Sequence, residues 1–332
     1  MKPNNRKNQL LALLAAASCA GSAFAGDLPV SRTEAAVRLT APTGQFTMLA
    51  LPLNSIVASG TITSTGSPLG VSATLTANAL TNHAITITSR VNQSETGAYG
   101  KSKKITGNAA NTVTAAGLTP SVGDKFVITE LFTLSSVFDG NSPGIYGFAV
   151  DVLEADSDKI YVEDAGAFNG YWYMDGVGWK SASDGDGSGP TLNPEINPGR
   201  GIMVSRNPGG APNATWYVTG TVVSGRTAPD CVDGFNLMNN PFSVSTTLAQ
   251  SGIQNFITSD VLEADSDKIY IEAGGLFQGY YFNTDSNFWS SVNDGGTPVD
   301  AGATVIGAGK ALLYYRLPTT PGSFALPEPF TN

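Results

Sequence analysis

The chain has 332 residues, a net charge of −9 at pH 7, 14% charged residues, 38 Gly, 19 Pro, two Cys and a single His. One histidine excludes multi-histidine metal sites, and the acidic balance argues against nucleic-acid backbones or anionic lipid as partners. Abundant Thr, Ser, Val and Asn among so many Gly and Pro predict an all-β fold of short strands and tight turns.

In chain order, the first feature is a secretory pattern. Lys2, Arg6 and Lys7 lead into an apolar run from Leu10 to Ala17, and Ala23-Phe24-Ala25 forms a small-x-small site before Gly26. Residues 1–25 therefore read as a signal peptide, and the chain as an exported protein. Its destination is extracellular or the cell surface, with the periplasm as the alternative. The apolar run is shorter than the roughly 20 residues that span a bilayer, and no later stretch is longer, so the mature chain is expected to have no transmembrane segment. Cleavage removes three positive charges, taking the net charge from −9 to −12, and leaves Cys231 as the sole cysteine. No internal disulfide can then form, and the simplest role for Cys231 is a buried small hydrophobe.

Beyond the signal, MLALPLNS (Met48–Ser55) resembles NLMNNPFS (Asn236–Ser243). After the first of these come 73–80, 84–90, 103–108, 112–117 and 125–131, each rich in β-favouring residues and bounded by Gly, Asn or Ser. They predict a small β domain inserted at about 56–132. Thr133 is placed to cap a helical turn reaching Phe138. Then DVLEADSDKIY occurs at Asp151–Tyr161 and again, identically, at Asp260–Tyr270. The match continues through Phe168, Gly170 and Tyr171 against Phe277, Gly279 and Tyr280. It closes on GRGIMVSR ending at Arg206 and GKALLYYR ending at Arg316. In each copy, Lys159–Glu163 or its equivalent alternates with period two, and Asp175-Gly176 marks a hairpin. The expected architecture is two related β-sandwich or barrel-like units. The first covers 26–225 with the insert, the second 226–332.

The order PLNS, AITITSR, ITGNAANTVTAAG, GDKFVI, TLSSVF, DKIYV, GYWY, GW, PGRGIMVSR and NNPF resembles an uncharacterised family of signal-bearing bacterial exported proteins with a duplicated aromatic β repeat. Members of that family often carry Pro after the Phe of the TLSSVF-like motif, where Asp139 stands here. The resemblance implies architecture and export, and brings no activity with it.

No G-x-S-x-G, Walker loop or H-E-x-x-H is present, and a Ser-His-Asp set would have to use His83. The chain is expected not to be an enzyme, with a glycoside-active pair of carboxylates kept as a remote alternative. Calcium is the one cofactor the sequence raises. Glu154, Asp156 and Asp158, and likewise Glu263, Asp265 and Asp267, are spaced two apart, which in an extended chain gathers them on one face. The competing reading is a solvated turn that starts the next strand. A second candidate loop places Asp184, Asp186, Ser188 and Glu195 at calcium-loop spacing, against a plain Gly/Asp turn. The last candidate is aromatic. Trp172 lies between Tyr171 and Tyr173 and must point opposite to them, so either the sheet is covered on both faces or one aromatic set is exposed. Trp172, Trp179, Tyr281 and Trp289 are thus candidate sugar-stacking residues. The expected function is a secreted or cell-surface structural or adhesive protein, with a carbohydrate-binding module as the alternative. The partner is polysaccharide or another copy of the chain.

Overall fold

A computed structural model describes residues 34–332 except 91–97, 223–224, 243, 293–296, 319–323 and 328–332. The signal segment lies outside the described residues. The fold is all-β: among the described residues, short strands form five sheets, and the only α-helices are Leu134–Val137 and Leu248–Ser251. None of these sheets closes into a barrel. The first helix is capped as its sequence dictates, the Thr133 hydroxyl accepting from the Ser136 N–H and Ser136 reciprocating.

Each repeat builds a five-stranded antiparallel sheet with the same strand order. In the first, Gly178–Ser181, Ala167–Met174, Lys159–Asp164, Ile202–Ser205 and Phe46–Leu49 lie side by side. In the second, the corresponding strands are Phe288–Ser291, Leu276–Asn283, Lys268–Ala273, Leu312–Arg316 and Gly234–Met238. Period-two alternation sends Ile160, Val162, Ile202 and Val204 to one face. There they pack on Leu39, Ala214, Trp216 and Val218 of a three-stranded sheet, making the first repeat a two-layer sandwich. The second repeat departs from the sandwich expectation. Its sheet is covered by Phe242, the helix residue Leu248, Ile253 and the C-terminal Phe324 and Leu326.

The two copies of DVLEADSDKIY adopt one local structure. Both contain a 3-10 turn, Glu154–Asp156 and Glu263–Asp265, followed by a strand starting at Lys159 or Lys268. Asp151 and Asp260 accept from the next two backbone N–H groups, and Ser157 and Ser266 donate to the Leu153 and Leu262 carbonyls. The second faces of the two sheets meet at a core of Met48, Ala50, Leu237 and Ala311, flanked by Phe168, Met203 and Leu313. This seam is reciprocal. The Gly201 N–H donates to the Leu237 carbonyl and the Ala311 N–H to the Met48 carbonyl; Ala50 donates to Gly309 and Asn239 to Gly199. Residue i of one repeat meets j of the other and the converse, as in an isologous dimer interface, but within one chain.

Residues 56–130 form the inserted seven-stranded sheet with its own core, including Ile62, Val71, Ile85, Ile87, Phe126 and Ile128. One expected strand is absent: 73–80 is a looping segment. Its backbone is taken up by the Asn108 amide, which donates to the Thr76 carbonyl and accepts from the Leu80 N–H, and Asn78 turns the chain at φ 59°. The strands Ile56–Ser64 and Leu69–Val71 supply the pairing instead.

The buried aspartates that start the central strands differ in their third partner. Asp158 pairs with the Arg206 guanidinium at 2.6 Å; Asp267 accepts the Tyr314 hydroxyl at 2.7 Å. Arg206→Met leaves a buried carboxylate without its cation and should cost about 3–5 kcal/mol. Tyr314→Phe removes one hydrogen bond and should cost about 1–3 kcal/mol. Urea unfolding of both variants checks this order, and equal losses would contradict it.

Candidate functional site

The candidate sugar-stacking residues are core residues. Trp172 is 0% exposed, and Trp179, Tyr281 and Trp289 are buried with it. The sheet is covered on both faces, the branch of the sequence reading that leaves no aromatic row for a ligand. Tyr171 and Tyr173 pack toward the sandwich core with Trp179, which stacks edge-on with Tyr173. Trp172 points the other way, as alternation requires, and meets Gly187, where an added Cβ would lie 3.2 Å from its ring. Its indole N–H donates to the Ser181 carbonyl at 3.3 Å.

The segment read as a second calcium loop is therefore the lid on Trp172. Its oxygens are spent elsewhere. The Asp184 carboxylate lies over Gly189, and Asp186 accepts from the Ser188 N–H, a bond that lowers its pKa. Glu195 forms an ion pair with Lys104 of the inserted sheet. The carboxylates of the repeated segment are likewise not brought together, because the chain there is a 3-10 turn and period two does not apply. Glu154 turns to Lys159 and Glu263 to Lys268, while Asp156 and Asp265 face solvent. Asp158 and Asp267 are directed inward. Among the described residues, no group of three or more His, Cys, Asp or Glu side chains is placed to share a metal ion.

One exposed feature went unread in the sequence. The residues at the tip of each repeated turn, Val152 and Leu153, are 57% and 52% exposed, and Val261 and Leu262 are 39% and 60% exposed. In sequence, the same acidic residues flank each pair, Asp151, Glu154 and Asp156 or Asp260, Glu263 and Asp265. The fold accounts for six of the eleven identical residues: Asp151, Glu154, Ser157, Asp158, Lys159 and Ile160 each make a contact the turn or strand needs. It does not account for the Val-Leu pair. A single exposed aliphatic residue is ordinary. Here, however, nearby exposed positions of the same repeats have diverged, Asp164 against Ala273, Ala167 against Leu276 and Asn169 against Gln278. The signal in the sequence was an apolar pair lying outside the strand alternation yet identical in both copies.

Cys231 packs against the second-repeat core beside the Pro229 carbonyl, and burial pushes its thiol up to about 11 despite nearby Arg200. No known protein family, curated protein or solved structure matches this chain.

Two outcomes follow from this packing. Trp172→Ala should lower stability by about 3–5 kcal/mol, measured by chemical denaturation; a loss below about 1 kcal/mol would show that the loop does not seal the indole. At pH 8 Cys231 should react with a thiol reagent about a hundredfold more slowly in the native protein than after unfolding, since its thiolate fraction falls by that factor.

Proposed function

We propose that the protein is an exported, non-enzymatic adhesive or structural component that attaches through its two Val-Leu turns. The observation that carries this reading is the exposed apolar pair kept identical in both repeats, Val152-Leu153 and Val261-Leu262. Identity at positions the fold does not use is accounted for by a contact each repeat makes in the same way. The turn favours a small apolar notch with basic groups beside it as its counterpart, because the aliphatic tip is flanked in sequence by aspartates, of which Asp156 and Asp265 are exposed. Two equivalent weak contacts on one rigid body add by avidity, which suits attachment to a repetitive surface. The flanking acidic residues disfavour direct contact between the turns of two copies. The secretory pattern of residues 1–25 and the low charge density support an extracellular setting.

The test is attachment of the fluorescently labelled mature chain to cells of the producing organism. Val152→Ser with Leu153→Ser should weaken attachment; adding Val261→Ser and Leu262→Ser should abolish it. Disabling either turn alone should already weaken attachment by about 10²-fold or more, because avidity is lost with the first of the two contacts, the signature of bivalency. These side chains are exposed, so stability should change by no more than about 0.5 kcal/mol. Undiminished attachment of the fourfold variant would overturn the proposal.

A further inference from the structure

A cleft of about 120 Å³ lies where the inserted sheet meets both repeats. One wall is the outer face of the inserted sheet. Strands with Ile85, Ile87 and Ile128 turned to their own core necessarily present Thr86, Thr88, Val127 and Thr129 to the other side, and Ser102 joins them from the neighbouring strand. The Thr86 hydroxyl donates to the Ser102 hydroxyl at 2.8 Å, leaving lone pairs of both side chains available toward the cleft. The opposite wall comes from the repeats: Pro198 and Gly199 of the first, Thr227 and Pro229 of the second.

The cleft is a built feature with fixed walls. Lys103 and Lys104, adjoining Ser102, form ion pairs with Asp230 and Glu195, tying this edge of the inserted sheet to both repeats. The Ala228 N–H donates to the Gly100 carbonyl at 2.8 Å, and Arg226 donates to the Tyr99 carbonyl at 2.9 Å while lying over the Tyr99 and Phe256 rings. The second lining arginine, Arg200, is committed to Glu163 at 2.7 Å and to the Asp230 carbonyl. Both guanidinium groups thus serve the walls, and what faces the space is a row of hydroxyls beside aliphatic and proline surface, with the exposed Glu130 at one side.

We infer that this cleft binds a neutral polyhydroxylated ring, a single pyranose or the terminal unit of a glycan. Such a ring has an apolar face to lay on Pro198 and Pro229 of one wall and hydroxyls to exchange hydrogen bonds with Thr86, Ser102 and Thr129 of the other. Committed arginines give no reason for an anion, and the cleft volume holds one ring rather than a chain of them. Ligand sites favour such junctions between modules, where apolar surface and a few convergent polar groups meet. The site is separate from the Val-Leu turns and from the buried tryptophans.

The experiment is titration of the mature protein with neutral hexoses, pentoses and N-acetylhexosamines, and with short oligosaccharides ending in them, followed by calorimetry and ¹H saturation transfer. At least one sugar should bind with one site per chain and a dissociation constant of about 1 mM or tighter. If monosaccharides suffice, the site takes a free sugar; if only oligosaccharides bind, it takes a glycan end. Thr86→Val with Ser102→Ala should weaken binding by about tenfold or more, with unchanged melting temperature. The fourfold turn variant should bind sugar as the wild type does, so failure of the adhesive reading would leave this result unaffected. No binding across the panel, or binding indifferent to Thr86 and Ser102, would overturn the inference.

Discussion

Each repeat is organised around one buried aspartate at the head of its central strand. Asp158 accepts from the Ala149 and Asn207 N–H groups, and Asp267 accepts from the equivalent Thr258 and Leu317 N–H groups. One carboxylate thereby fastens the entry to the repeated turn, the first residue of its strand and the exit of the last strand. A carboxylate in such a place is costly unless its charge and lone pairs are met. The first repeat meets the charge with Arg206, whose other donors reach the Ala41, Gly147 and Ala211 carbonyls. The second uses Tyr314, where the first has Val204. Burial and the bond to Asp267 both raise the pKa of that tyrosine, keeping it a donor across the accessible range. The same backbone geometry is therefore held by an ionic solution in one copy and a neutral one in the other.

That arrangement explains why so much of the fold was legible. Alternation along Lys159–Glu163 put Ile160 and Val162 on one face, with Ile269 and Ile271 repeating it, and that face is the core face in both copies. Asp175-Gly176 does turn a hairpin, with Gly176 at φ 71°. Illegible were features fixed by partners distant in sequence. Nothing near Trp172 says that Gly187 will close over it, and only that closure separates a core indole from a stacking platform. The carboxylates of 154–158 read as one face because an extended chain was assumed; the 3-10 turn, set by Asp151 and Ser157, sends them three ways. The residues 73–80 have strand-like composition, but an amide at Asn108 takes their carbonyl and N–H groups before a neighbouring strand can.

The cleft belongs to the same class of hidden feature. Its hydroxyl residues, Thr86, Thr88, Ser102 and Thr129, are scattered over three strands and are ordinary outer-face residues in each. They become a wall because the Lys103 and Lys104 ion pairs, with the Ala228–Gly100 and Arg226–Tyr99 hydrogen bonds, hold the inserted sheet against the repeats.

The reciprocal seam between the repeats has a further consequence. Two separate copies of such a unit, meeting through Met48–Leu237 contacts, would have to be identical, and any insertion in one would appear in the other. Joining them in one chain releases that constraint. The first repeat accepts an additional sheet while the second stays plain, and the paired body keeps its twofold logic at the seam. Among the described residues the turns consequently come as an equivalent pair, whereas the cleft, walled by the inserted sheet, is built once.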